Sequence, residues 1–343
     1  MAEMTGLNEL KLSFLPKEVG QSSGRKAYID FLKVLAAFLT VFYHFAYYKL
    51  NYGFNAMQAS YFPNFSRVVM CFASCCVPLF FMVNGTLMLG KIRSWKSVYK
   101  KAVKILALTI VWSLIGFPSW FFKTLIVLYI LFPVFQYLYT KKITLYYVVI
   151  LLVFIFPFGY NAMLLMANLI APNLAIHILG KTINVADLSV TGFFTMYSIL
   201  YFLICPILAS RKIHTGYGIA ALIIGVGLVL FECVTYTNVD RKMYDGVNAA
   251  FPTYGAMLLS IGIFIVVKNE ITKCGKITNW LKDQILSIYL IHMALIRVVD
   301  SMFGLTSISL AVAIVGTALI LFMCAGIGKV FCRIPVLCWL VRI

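Results

Sequence analysis

The chain has 343 residues, of which 62% are hydrophobic and 12% charged, and its mean hydropathy is +0.95. Soluble globular domains are closer to half apolar and one quarter charged, so this composition excludes one and indicates a polytopic membrane protein. A net charge of +18 suggests nucleic acid in a soluble protein. Here the loading of one side's loops with Lys and Arg accounts for it, and no nucleic-acid partner is expected.

Residues 1–24 are mixed polar and lack the apolar core and cleavage site of a signal peptide, so they are expected to form a cytoplasmic N-terminal segment. Apolar runs then predict an all-α membrane domain over 25–328. Its ten spans fall at about 27–48, 67–89, 102–121, 124–140, 143–160, 191–210, 215–236, 248–267, 283–301 and 307–328. The third and fourth are divided by a tight turn placed at Lys123. With the N-terminus inside, 22 of the 29 Lys and Arg residues fall on the inner side, which predicts both termini cytoplasmic and a multi-pass protein of the cytoplasmic membrane. Residues 161–190 form an outer connection too apolar for a free loop, expected on the membrane surface or dipping back into the protein. The tail 329–343 mixes basic and apolar residues and reads as a cytoplasmic amphipathic segment on the lipid surface. No internal repeat is visible.

Nine cysteines lie mostly within apolar runs, three of them (Cys71, Cys75 and Cys76) in one span, where they read as packing residues. No Cys/His spacing suits a metal, and none is expected.

The first span, "IDFLKVLAAFLTVFYHF", carries Asp30, Lys33 and His44. A charged side chain at the bilayer centre costs roughly 2.5–3.5 kcal/mol on insertion scales, so three ionisable groups require an explanation. Lys33 and His44 are eleven residues apart, about 20° around a helix and roughly 16 Å along it, so they share a face. Asp30 is one turn from Lys33 and close enough to pair with it. Taken singly, Lys33 reads as a snorkelling lysine and His44 as a histidine bonded to a backbone carbonyl. Taken together, the stripe reads as the wall of a polar channel, with His44 a candidate general base.

The stretch "DFLKVLAAFLTVFYH" resembles the first-helix signature of the acyltransferase-3 family: an Asp, a basic residue three further on, and a His eleven beyond it. "VPLFFMVNGTLML" is similar to the family's second-helix motif, "VYKKAVKILALTIVWSL" to the basic stretch entering the third helix, "LYILFP" to the fourth-helix motif and "LSIYLIHMALI" to the ninth. The resemblance runs from Asp30 to about Ile296, and its strength lies in five weak motifs in the right order.

The resemblance implies a ten-helix enzyme that takes an acyl group, expected to be acetyl, from cytoplasmic acyl-CoA. The implied acceptor is a hydroxyl of an envelope polysaccharide or its lipid-linked glycan precursor. It makes His44 the catalytic histidine and Lys33 the basic position, where Arg is commoner. Asn84 stands where Ser is common and is a candidate hydrogen-bond donor to a developing oxyanion. Asp30 and His292 complete the candidate catalytic set. Lys33, Arg93, Lys100, Lys101 and Lys104 are candidates for the phosphates of acetyl-CoA; Arg93 and the last three also read as an ordinary positive-inside loop.

Elsewhere, Glu232 reads equally as structural or functional, and Arg297 and Asp300, one turn apart, are expected to pair. Tyr129, Trp112 and Trp120 fit either a sugar path or an interfacial belt. Pro78, Pro133, Pro206 and Pro252 are expected to interrupt spans. The rival reading is a membrane translocator of a glycan or small molecule without acyl transfer; a sensing domain is a third.

Overall fold

The computed structural model describes residues 26–46, 49, 72–114, 120–160, 162–163, 166, 170, 175–178, 181–184, 196–240, 253–305 and 308–341. Its principal helices are α1 (Ala27–Ala46), α2 (Cys76–Leu89, entered through a 3₁₀ turn at Ala73–Cys75), α3 (Trp95–Ser113) and α4 (Trp120–Lys141). Next come α5 (Ile143–Val153, continued as a π-helical stretch over Phe154–Gly159), α6 (Met196–Ser210), α7 (Thr215–Asp240) and α8 (Tyr254–Glu270). The series ends with α9 (Lys276–Leu281), α10 (Ile285–Phe303), α11 (Leu310–Phe331) and α12 (Pro335–Val341).

Five helical segments are long and apolar enough to cross a membrane: α1, α4, Thr215–Glu232 of α7, α10 and α11. α2, α5 with its π-helical continuation, and α6 are shorter apolar helices. The surface is apolar where a soluble protein would be polar: Val103, Leu106 and Ile110 on α3, Ile219 and Ile223 on α7, and Val312, Val315 and Leu319 on α11 are all exposed. Faces of that kind are lipid-facing, and the protein is a helical membrane protein.

Several boundaries differ from expectation. α3 begins seven residues before the predicted span at 102, so Lys96, Lys100 and Lys101 lie on the helix with Lys104 rather than before it. Lys123, placed in a turn by its charge, is instead within the first turns of α4. Segment 161–190 contains a short antiparallel hairpin, β1 (Ala175–Ile178) with β2 (Lys181–Asn184), in which Ile178 opposes Lys181. The predicted N-terminal segment and Pro252 lie outside the described residues, as do the start of the second span and Arg241 and Lys242.

α1 is the central helix. Leu32, Ala36 and Val41 are fully buried, and the helix packs against α2, α8, α9, α10 and α11. Buried hydroxyls on these helices bond back to their own backbone, as Thr40 does to the Ala36 carbonyl (2.8 Å) and Thr317 to that of Ala313 (2.7 Å).

Two helix contacts depend on missing side chains. In α6, Pro206 has no N–H to give the Phe202 carbonyl one turn earlier, and that oxygen faces Gly85 of α2: a Cβ at Gly85 would stand 1.9 Å from it. α7 and α8 make the most extensive helix pair among the described residues, with glycines spaced seven apart on both: Gly218 and Gly225 on α7, Gly255 and Gly262 on α8. A Cβ at Gly225 would lie 2.5 Å from the Leu259 backbone nitrogen, and one at Gly262 would lie 2.7 Å from that of Leu222. Small residues at heptad spacing allow this backbone-to-backbone approach.

Polar groups then fix the helix ends. Glu232, near the far end of α7, accepts the Gly255 N–H (3.1 Å) in the first turn of α8, where the helix dipole favours a carboxylate. Lys268 donates to the terminal carbonyls of α6, at Leu208 (2.6 Å) and at Arg211. Trp112 Nε1 donates to the Leu340 carbonyl (3.1 Å) and Ser287 Oγ to that of Val341 (3.3 Å), so the tail helix α12 is tied to α3 and α10, with Val336 and Trp339 exposed.

Asp300 pairs with Lys49 (2.6 Å), not with the exposed Arg297 expected from helical spacing. Lys49 is buried over the Phe45 ring (4.3 Å), so it has the greater need of a counter-charge. Asp300→Asn is therefore expected to destabilise the protein by about 1–2 kcal/mol, below a fully buried pair because the carboxylate is partly exposed. Thermal unfolding followed by size-exclusion chromatography in detergent measures it, and an unchanged midpoint contradicts it.

Candidate active site

The candidate residues fall into four groups along the bundle. Deepest is a histidine pair. α1 carries His44, half-buried, and α10 carries His292, which is 1% exposed; their ring centroids are 5.2 Å apart and the planes 43° to one another. His292 Nδ1 lies 2.7 Å from the Tyr289 carbonyl and 3.1 Å from that of Ile288. A carbonyl only accepts, so Nδ1 carries the proton, and in the neutral ring Nε2 presents a lone pair. Among the described residues that Nε2 has no hydrogen-bond partner.

An aromatic cage adjoins the pair. Tyr289, one turn before His292, meets Phe121 (5.0 Å), Phe122 (5.2 Å) and the His292 ring itself (5.8 Å). Phe80 of α2 closes on Tyr289 edge-on at 6.3 Å, and Tyr43 lies edge-on to His44 at 5.2 Å. These rings pack as tilted and T-shaped pairs: Tyr289 meets His292 and Tyr43 meets His44, while Phe80, Phe121 and Phe122 back Tyr289.

Asn84 forms the second group. Its side-chain nitrogen donates to the Phe80 carbonyl (2.9 Å), and its oxygen accepts the Tyr129 hydroxyl (3.3 Å). One of the two amide N–H groups is thus engaged with its own helix, and the amide oxygen takes Tyr129 of α4 as its donor.

Asp30, Lys33 and Lys282 make the third group, near the Ala27 end of α1. Asp30 is 2% exposed and lies 3.7 Å from Lys33 and 3.9 Å from Lys282. The expected Asp30–Lys33 pairing is present, with Lys282 added from the turn after α9. The helical rise keeps this cluster roughly 16 Å from His44, so the structure does not bring Asp30 or Lys33 to the histidines.

The fourth group is basic. Lys96, Ser97, Lys100, Lys101 and Lys104 line a groove along the first half of α3. Among the described residues none of these lysines has a carboxylate partner. Lys101, which precedes the predicted span at 102–121, has its pKa lowered by partial burial and then by the neighbouring Arg93. Arg93 is also a helix cap: its guanidinium donates through Nε and a terminal nitrogen to the Leu87 carbonyl at the end of α2 (3.3 and 3.0 Å). Its backbone is held from both sides by Gln136 of α4 (2.9 and 3.1 Å).

Sequence reasoning passed over Tyr289, Gln136 and Lys282. Gln136 was visible as an amide among apolar residues of α4, Lys282 as a cation just ahead of a span, and Tyr289 as the tyrosine of "LSIYLIHMALI", one turn before His292.

No described cluster of His, Cys, Asp and Glu could hold a metal ion. Chemically, the arrangement offers a buried imidazole set against a half-buried one and a separate cationic groove suited to an anion.

Comparison with known proteins gives one family. A family model described as an acyltransferase domain matches residues 26–119 and 116–329, which contain all four groups. No curated protein and no solved structure gives a significant match. Matched over most of its length, the chain belongs to the acyltransferase-3 family and is an acyltransferase.

Proposed function

We propose that this protein transfers an acyl group, in the simplest case acetyl, from cytoplasmic acyl-CoA to a hydroxyl of an envelope glycan or its lipid-linked precursor. The observation that carries this reading is the histidine pair, His44 with His292 at 5.2 Å, walled by aromatic rings inside a membrane bundle. An imidazole in such a site is neutral in its resting form and takes a proton only as one is released.

His44 accepts the proton of the acceptor hydroxyl as the oxygen attacks the thioester carbonyl. The tetrahedral intermediate then collapses with cleavage of the C–S bond. The departing thiolate takes the proton back from the His44 imidazolium, leaving an O-acyl ester and free CoA. The long pantetheine arm suits a path from a basic entrance to a deep histidine. With the N-terminus cytoplasmic, as the Lys and Arg distribution argues, the groove of Lys96, Lys100, Lys101 and Lys104 lies at that entrance with Arg93 beside it. Lys33 adds a cation on the His44 face, and Asn84 with Tyr129 lines the neighbouring helix.

Membranes containing the protein are incubated with labelled acetyl-CoA and native polysaccharide. Label in the polysaccharide, matched by released CoA thiol, is the expected result. No label, with longer acyl-CoAs also tried, overturns the reading in favour of a translocator.

The groove carries its own prediction. Lys101→Ala with Lys104→Ala removes two charge-assisted contacts to phosphate and is expected to raise KM for acetyl-CoA by roughly 10-fold with little change in kcat. An unchanged KM would place the CoA head elsewhere.

A further inference from the structure

We infer that His292 is a positioning residue for His44: its Nε2 accepts an N–H from His44, fixing the tautomer that leaves the other His44 nitrogen free to take a proton. The inference rests on the acyltransferase reading above for its role, and on geometry for its existence.

His292 is the anchored member. Two carbonyls, of Ile288 and Tyr289, receive its Nδ1–H, so the ring cannot turn without losing both. That leaves Nε2 as a lone pair in a site 1% exposed, without a partner among the described residues. A buried acceptor with no donor costs free energy unless a donor reaches it. His44 is the donor within reach. A collinear N–H···N bond between two imidazoles has about 2.9 Å between nitrogens plus a ring radius at each end, which is close to the observed 5.2 Å between centroids. The two rings stand 43° to one another and are not hydrogen-bonded in this structure; the proposed bond forms when a His44 N–H is turned toward Nε2 about its side-chain torsions.

Soluble hydrolases give this orienting task to a buried carboxylate. Inside a membrane bundle a carboxylate carries a large desolvation cost, whereas a neutral imidazole locked by backbone carbonyls supplies an acceptor without charge. His44, half-buried and next to the cage, keeps the nitrogen that substrate can approach.

The test uses the full-length purified protein with His292→Asn and His292→Gln. Asn keeps a donor near the Nδ1 position, hence the bonds to Ile288 and Tyr289, and has nothing at Nε2; the Gln amide oxygen reaches the Nε2 position. Two readouts are taken: kcat and KM for acetyl-CoA, and the rate of His44 carbethoxylation by diethyl pyrocarbonate followed by mass spectrometry. For Asn, kcat is expected to fall at least 10-fold at unchanged KM, and His44 to react several-fold more slowly. Gln restores part of both. If His292→Asn does not fold, His292→Gln is compared with His292→Met, which lacks a strong acceptor; slower His44 modification in Met supports the inference. Equal His44 reactivity in native protein and the acceptor-less variant overturns it. Lack of acyl transfer by the native protein would sink the acyltransferase reading, while the carbethoxylation rates still decide this one.

Discussion

His44→Ala is expected to lower acyl transfer from acetyl-CoA by roughly 10²–10⁴-fold, the usual contribution of a positioned general base. The size follows from where His44 sits. His44 is flanked by the Tyr43 ring and by His292, whose buried ring is anchored to backbone carbonyls, so removing the His44 imidazole removes the base of the proposed mechanism. On the proposed mechanism the loss should appear in kcat, because that reading assigns the CoA head and arm to other residues. His44 is only half-buried, so its truncation opens little cavity, and the thermal midpoint should stay close to native. The measurement is acetyl label in polysaccharide at equal protein level, with His44→Gln as a volume-preserving comparison. Transfer above one tenth of native in His44→Ala would assign the proton acceptor to another group.

Gly85→Ala is expected to be the most damaging added methyl among the described glycines. The added carbon would stand 1.9 Å from the Phe202 carbonyl oxygen and 2.7 Å from its carbon, and backbone cannot rotate aside as a side chain does. The contact exists because Pro206 leaves that carbonyl without its helical donor, so the oxygen turns outward against the bare Cα of Gly85, a geometry suited to a Cα–H···O contact. Overpacking a core usually costs 1–3 kcal/mol, and a clash with backbone on both sides belongs at or above the top of that range. The α2–α6 pair must separate to relieve it, which shifts Asn84 and Phe80 with α2. Expression in membranes and the unfolding midpoint in detergent both report the loss. A native-like midpoint would mean that the two helices are not apposed at Gly85. Gly227, with open space where its Cβ would be, is the control expected to tolerate Ala.

The helical membrane character and the importance of α1 were legible because ionisable residues are anomalous in an apolar helix. Asp30, Lys33 and His44 stand out in one dimension. Boundaries failed where charge was read as an interruption. Lys123 is one cation inside α4, and the lysines of α3 form a basic face on a helix that had already begun. The β1–β2 hairpin had a local signal, Ile and Thr flanking a Leu-Gly dipeptide, that a hydropathy window averages away. The Lys49–Asp300 pair was illegible because helical spacing offers Asp300 a nearer cation in Arg297; burial of Lys49 decides otherwise, and burial is a property of the assembled bundle. For the same reason sequence could nominate His44 and His292 separately but could not place one ring against the other. That contact joins the first described helix to one near the end of the chain.

The interlocked glycines of α7 and α8 bear on the order in which the molecule can be made. Two helices meeting backbone to backbone through Gly218, Gly225, Gly255 and Gly262 have few side chains to arrange and can lock as soon as both are in the bilayer. α1 has to wait, because its partners α10 and α11 are synthesised last. A ribosome stalled after α8 would therefore leave a chain with a firm helical hairpin and no partner yet for His44. For this protein, acquiring a stable helix pair in the membrane and bringing His44 against His292 are separate events in synthesis.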